Sequence, residues 1–210
     1  MKTFATRKIH CPICDSSEFT SILVGEDTLL NNQGEFNIVR CNSCGLIYLN
    51  PQPTEETLGV YYSGNYPANS VDNLREIIKP GSFKSKFFRL LYLSLYKHIS
   101  KQLNEFKKLQ KDTKLLDVGC GNGGFLYFMK ESVGVNGHGV EMSKKAAEFA
   151  SKEIGLTVFN SNFLKADLVD KYDVVTAFHY FEHELYPNEV LQKLHKVMKK
   201  DGYYCWNYRM

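Results

Sequence analysis

No stretch of this 210-residue chain approaches the ~18 uninterrupted apolar residues that a membrane-spanning helix needs, so no membrane span is expected. Charge of one sign is also scarce. The net charge of +3 is too small to argue for nucleic acid as the main partner, although residues 79 to 114 carry ten Lys/Arg against Glu105 and Asp112. There is no Gly/Pro-dominated or low-complexity tract and no internal repeat. The opening "MKTFATRKIHCPIC" has basic residues but no apolar core of a signal peptide, and the expected location is the cytoplasm. Thiols stay reduced there, so six cysteines, four of them in two close pairs, point to metal or free thiol before disulfides.

What remains is the composition of a globular protein, 43% hydrophobic and 23% charged, long enough for one ordinary domain plus a small module. Up to about residue 60 the chain reads as short β pieces, with "FTSILVGE" and "FNIVRC" as strands around the turn-like "NNQGE". Thr54 followed by acids then predicts the start of a short helix at "TEETLGVYY". Residues 63–82, rich in Ser, Gly, Asn and Pro, read as a linker. From Phe83 onward, Phe87, Leu91, Leu95, Ile99, Leu103 and Phe106 recur at helical spacing, predicting a long amphipathic helix over 83–112 that packs on the domain after it. Over 113–210 strands alternate with helices: "KLLDVG", "NGHGVEM", "LTVFNS", "YDVVTAFH" and "GYYCWNY" are the strands. Helical crossovers between strands make a mainly parallel sheet in an α/β fold, Rossmann-like and doubly wound, with about five strands.

Cys11, Cys14, Cys41 and Cys44 form two C-x2-C pairs separated by a long gap. A two-residue gap lets both thiolates of a pair face one tetrahedral ion, and two pairs close the site, so structural zinc in a zinc-ribbon-like module over residues 1–62 is expected. Four thiolates leave no open position for catalysis, and the ion substitutes for a core this segment lacks. His10 reads as an exposed neighbour of the site.

"LLDVGCGNGGF" carries glycines that satisfy two fingerprints at once: Gly119, Gly121 and Gly123 as G-x-G-x-G, and Gly119, Gly121 and Gly124 as G-x-G-x-x-G. In either, the backbone approaches a ligand between a strand and a helix, and an acid about 20 residues later binds ribose; Glu141 is that acid. Asp117 discriminates between them. A carboxylate at the mouth of the turn repels a pyrophosphate but favours the ammonium of an amino acid, which points to S-adenosylmethionine over a nicotinamide dinucleotide.

"LLDVGCGNGGF", "GHGVEMS", "KYDVVTAFHYFEH" and "LHKVMKKDGYY" resemble, in order and spacing, successive motifs of class I S-adenosylmethionine-dependent methyltransferases. The cysteine module running through "CNSCGLIYLNPQPTEETLGVYY" is similar to the N-terminal part of a bacterial subgroup associated with surface-polysaccharide or modified-sugar pathways. The resemblance implies that Asp117, Gly119, Gly121 and Gly123 line the methionine part of the cofactor and Glu141 the ribose, with Cys120 and Met142 beside them. It also implies that Asn162, where the family usually has an acid, and the backbone of Phe163 meet the adenine. His179, Glu182 and His183 in "FHYFEH" follow the fourth strand at the ligand-bearing end of the sheet and are the candidate catalytic residues; His179 lines the cofactor pocket or serves as a base, and Glu182 and His183 resemble a recurrent pair of the family. The cysteines at 120 and 205 read as buried thiols, and His98, His138 and His195 as surface or packing residues.

The implied activity is methyl transfer to a small molecule, a sugar or nucleotide-sugar. RNA base methylation, with the basic helix in its favour, is a second reading. A third is a non-catalytic S-adenosylmethionine-binding remnant, because such enzymes generally continue past the fifth strand and this chain is expected to be shortened at "CWNYRM". An open fifth strand bearing Tyr203, Tyr204, Trp206 and Tyr208 is expected to invite a homodimer.

Overall fold

The structure is a computed structural model describing residues 5–26, 35–61, 71–78, 83–106 and 108–207. Tyr208, most of the predicted 31–35 turn and much of the predicted linker lie outside the described residues. The chain divides into two compact units, Met1–Tyr66 with Leu185–Asn188, and Pro67–Glu184 with Glu189–Met210.

The first unit is built on short antiparallel pairings. Strands β2 (Phe19–Glu26), β3 (Glu35–Cys41) and β4 (Ile47–Leu49) form one sheet, while β1 (Thr6–Arg7) pairs with β5 (Gln52–Pro53). Helix α1 (Glu55–Tyr61) begins where Thr54 caps it, its Oγ1 accepting from the Thr57 amide at 3.3 Å. Apolar burial is sparse among the described residues: Ile22, Leu23 and Val24 of β2 are exposed, while Val39 is wholly buried. Polar staples substitute for part of the core. Buried Asn50 accepts from the Ile9 amide (3.1 Å) and donates to the Ile9 carbonyl (3.0 Å). Segment 185–188 joins this unit through the Asn188 amide, which donates to the Pro12 carbonyl at 2.6 Å, and through Arg7 stacked 5.0 Å over the Tyr186 ring.

The second unit is the α/β fold. Strands β6 (Lys114–Val118), β7 (Asn136–Glu141), β8 (Thr157–Asn160), β9 (Tyr172–Phe178) and β10 (Met198–Asn207) form a wholly parallel sheet in the order β10-β9-β6-β7-β8. Helices α4 (Gly124–Val133), α5 (Lys144–Lys152) and α6 (Pro187–Val197) make the crossovers. The central strands β6 and β9 are buried on both faces, so they read as near-continuous apolar runs. Leu115 and Val174 face a cluster with Leu126 and Met129 of α4, whereas Leu116, Val118 and Val175 face Val190 and Leu194 of α6. Each such wholly buried aliphatic side chain contributes about 1.5–3 kcal/mol relative to exposure.

Two features depart from the sequence reading. Within 63–82, Asp72–Ile78 form helix α2, and Val71, Leu74 and Ile77 are buried with Phe149 of α5; apolar spacing outweighs the polar composition around it. Arg75 of α2 also grips Glu153 with two hydrogen bonds (2.9 and 2.6 Å). The long helix α3 spans Phe83–Phe106, and its described stripe residues differ along its length: Ile99 and Leu103 are buried and Tyr96 packs 5.7 Å from both Phe125 and Phe128, but Phe87 and Leu91 are exposed. Of the aromatics on β10, Tyr203 and Trp206 are exposed, while Tyr204 is half-buried against Phe181.

Glycines on β7 allow the turn before α4 to lie flush on the sheet. A Cβ on Gly137 would meet Leu126 at 2.8 Å, and one on Gly139 would collide with the Cys120 sulfur and meet Leu126 at 3.2 Å. G139V is therefore expected to lower unfolding free energy by about 2–3 kcal/mol, seen as a lower urea midpoint with unchanged slope. An unchanged midpoint would show that α4 does not need this close approach.

Candidate functional site

In a parallel sheet all strands end on the same side, and ligands sit outside those carboxyl ends where the strand order reverses. Here the reversal falls at β6, whose neighbours are β9 and β7. The chain leaves β6 through the glycine turn. Gly119, Gly121 and Gly123 all have positive φ (74°, 54° and 80°), a region that costs side-chain-bearing residues dearly. At Gly123 space is limiting too, since a Cβ would lie 2.7 Å from Leu156 and 2.9 Å from Ala150.

Asp117 ends up 4% exposed at the end of β6. The β6–β9 register sets Thr176 directly opposite, and the Thr176 hydroxyl donates to Asp117 Oδ1 at 2.6 Å. Burial pushes the Asp117 carboxyl up to about 7; the Thr176 bond opposes this and the nearby Glu141 adds to it. Near neutral pH the group stands poised between a neutral acid and an anion, and a cation placed beside it favours the anion. Thr176 escapes a sequence reading because its partner is 59 positions away.

One strand over, Glu141 closes β7. Its carboxylate accepts from the Gly121 amide (2.9 Å) and from the Ser143 amide (2.6 Å), so the acid both holds the glycine turn and faces the site. The Ser143 hydroxyl then caps α5 through the Ala146 amide. After β8, Asn162 opens a short 3-10 turn (Phe163–Lys165) and its Oδ1 accepts from the Leu164 amide at 2.8 Å. The side chain predicted to meet adenine thus already caps its own turn. The Phe163 ring is buried, which leaves only its backbone for a ligand. Met142 is exposed. The Cys120 side chain is turned into the core beneath the turn, where burial raises its thiol well above the ordinary range.

Asp117 lies near the end of β6, Glu141 ends β7 and Asn162 follows β8 by two residues, and neighbouring strands of a sheet run about 4.8 Å apart. An anion able to meet a cation, an acid able to meet ribose and a backbone turn stand in a row.

On the other flank of β6, the chain leaving β9 passes through His179, held at φ 50°, into a 3-10 turn at Phe181–His183. His179 Nδ1 lies 3.4 Å from Glu182 Oε1, so the predicted residues are brought together. Burial lowers the His183 pKa and His179 lowers it further, while Glu182 opposes both; His183 is therefore neutral at neutral pH and able to accept a proton. Tyr180 is a site residue the sequence reading missed. Its ring packs on Gly119, where a Cβ would sit 2.8 Å from it, and edge-on to Phe163. Burial raises its phenol well above the usual range, and the neighbouring Glu184 adds to this. Its only sequence signal is adjacency to His179.

The four predicted metal ligands converge in the first unit, their sulfurs all within 4.8 Å of one another, with Cys11–Cys44 and Cys14–Cys41 at 3.5 Å. These separations fit a tetrahedral ion with Zn–S bonds of about 2.3 Å and are far beyond a disulfide bond of about 2.05 Å. The two knuckles share one backbone pattern: the Asp15 amide donates to the Cys11 carbonyl and the Gly45 amide to the Cys41 carbonyl, with both residues at positive φ. The Cys44 amide lowers the Cys41 thiol to about 6, against the effect of burial. His10 is not among these ligands and instead faces Asp15 at 3.3 Å.

The raised acid gives a signed pH dependence. The folded value for Asp117, about 7, exceeds the ~3.9 of an unfolded aspartate, so the folded form retains a proton the unfolded form has lost. Its contribution to stability is complete below pH ~4 and is gone once the pH has risen past the folded value. For the ligand-free protein, thermal unfolding from pH 5 to 8 should show this loss, and D117N should flatten it. An identical pH profile in D117N would place the titration elsewhere.

Comparison with known proteins adds to this geometry. A ubiquinone biosynthesis O-methyltransferase of Actinobacillus pleuropneumoniae serotype 7 is 33% identical over 100 residues, and one of Haemophilus ducreyi is 34% identical over 100. Each alignment covers 42% of this chain and 42% of the relative, so the chain spans about two fifths of the length of the curated relatives it matches. A solved S-adenosylmethionine-dependent methyltransferase from Thiobacillus denitrificans, in complex with S-adenosyl-L-homocysteine, is 18% identical with a TM-score of 0.44, covering 50% of this chain and 46% of that one. The family model described as "Methyltransferase domain" matches residues 92–206, from within α3 to near the end of β10. With more than half its length under that match, including the glycine turn and every strand of the parallel sheet, the chain belongs to the methyltransferase-domain family.

Proposed function

We propose that this protein transfers the methyl group of S-adenosylmethionine to a hydroxyl oxygen of a small acceptor, with a structural zinc ion in its N-terminal unit. The observation that carries the reading is the row of Asp117, Glu141 and the Asn162 turn at the ends of three adjacent strands. A cofactor with a cationic amino-acid end and a nucleoside end matches that row, and a pyrophosphate meeting Asp117 does not. The cofactor supplies an already electrophilic methyl carbon, so the chain's own task is to align two partners and to remove a proton from the acceptor. Asp117 takes the ammonium end, Glu141 the ribose hydroxyls and the backbone after Asn162 the base. His183, neutral and close to Glu182 and His179, is the candidate base for the acceptor hydroxyl.

The O-methyltransferase name of the relatives favours oxygen as the acceptor atom and lends no support to the sugar or nucleotide-sugar that the sequence resemblance implies. Nor does it favour RNA. Among the described residues no helix is long and apolar enough to cross a membrane. In a reducing cytoplasm the four thiols would remain available to zinc, which the sulfur geometry fits.

Isothermal calorimetry of the purified protein should show binding of S-adenosylmethionine and S-adenosylhomocysteine and none of NAD, and E141A should weaken the binding by about tenfold or more. Binding of NAD alone would overturn the reading. Metal analysis should find one zinc per chain, lost in a Cys14→Ser, Cys44→Ser double variant together with amide-exchange protection over residues 8–26 and 35–50. Full protection in a metal-free variant would remove the structural role.

A further inference from the structure

The turn after β8 is fastened by a side chain from another element. Lys193, midway along α6, donates from Nζ to the carbonyl oxygens of Leu164 (3.0 Å) and Ala166 (2.6 Å), and its ammonium stands 5.4 Å over the Phe163 ring. Burial holds its pKa below the ordinary lysine range, and Asp167 opposes this. α6 itself has little freedom: Val190, Leu194 and Val197 are all buried against the sheet. The ammonium is therefore a fixed post, and the turn is held against it by two charge-assisted hydrogen bonds and a ring face.

The turn needs such a post. It is only three residues long, and its own fastenings include the Asn162 cap, the bonds from the Lys165 and Ala166 amides to the Asn162 carbonyl, and those from the Ser161 hydroxyl to that carbonyl and from the Ala166 amide to the Phe163 carbonyl. On its β7 side, the Ser161 amide donates to the Glu141 carbonyl at 3.1 Å, and the Asn160 amide group donates to the carbonyls of Glu141 and Met142. The turn is thus registered to the ribose-binding acid on one side and to Lys193 on the other. With Asp117 taking the cationic end and Glu141 the ribose, a nucleoside laid along the three strand ends reaches this turn with its base.

We propose that Lys193 is a positioning residue for purine recognition, holding the Asn162–Ala166 backbone where it reads the edge of the base. This rests on the reading of the pocket as an S-adenosylmethionine site. Without the ammonium, two carbonyls lose their donor and the Phe163 ring its cation, so the turn relaxes while Asp117 and Glu141 keep their places.

The test compares S-adenosylhomocysteine with S-inosylhomocysteine, which differ in the group on the six-position of the purine, by calorimetry well below the unfolding temperature. Wild-type protein should prefer the adenosyl compound. K193M should bind it about tenfold more weakly and lose most of the preference, whereas K193R, which keeps charge and donors, should recover most of both. A general loss of stability would weaken both compounds alike. If K193M does not fold, K193Q should show the same loss of preference in smaller measure. Unchanged affinity and preference, or equal weakening of both compounds with the preference intact, would overturn the role of Lys193 alone; wild-type protein that binds neither compound would overturn the cofactor reading and this inference together.

Discussion

Asp117 is a carboxyl group removed from water at the end of a central strand, with the Thr176 hydroxyl as its donor and the Glu141 carboxylate as a neighbour. Burying an ionised carboxylate without a cation costs several kcal/mol, and proteins ordinarily avoid it or protonate the group. Here the cost follows from architecture. Thr176 faces it because β6 and β9 pair in parallel register, and Glu141 lies nearby because β7 flanks β6 on the other side. The glycine turn leaves the strand one residue later and is itself pinned by Glu141 through the Gly121 amide. Strand order, turn and acid are parts of one arrangement.

That arrangement also separates labour along the sheet edge. From β6 toward β8 stand the groups suited to a cofactor: Asp117, Glu141 and the Lys193-held turn. Toward β9 stand His179, Glu182 and His183, with Tyr180 laid on Gly119 at the boundary between the two sets. Because methyl transfer asks for alignment more than for a powerful acid or base, a site of this kind depends on the rigidity of its strand ends. The apolar clusters on both faces of the sheet supply that rigidity. The described residues of the first unit form little such core, and their sulfur cluster has the geometry to hold a metal in place of one.

Local features were readable from the sequence. The alternation of strand and helix over 113–210 follows from apolar periodicity, and the observed sheet is the parallel one that pattern demands. Asp117, Glu141 and the two cysteine pairs stand out in the sequence because each belongs to a pattern of short spacings. What was hidden depends on register between distant segments. Thr176 matters only because it faces Asp117 across two strands, and Lys193 only because α6 brings it under the β8 turn. Helix α2 was masked by the Ser, Gly, Asn and Pro around it, and its evidence is tertiary: Leu74 and Ile77 buried against Phe149. The even stripe along α3 gave no sign that Phe87 and Leu91 would be exposed while Ile99 and Leu103 are buried.

The central claim is that the buried carboxyl of Asp117 awaits a cation, and proton linkage tests it most directly. Binding of S-adenosylmethionine near pH 7 should shift Asp117 toward its anion and release a proton. Calorimetry of that binding in buffers of different ionisation enthalpy should therefore show net proton release by wild-type protein that is absent in D117N. Equal proton exchange in the two proteins, or proton uptake by wild type relative to D117N, would contradict the account.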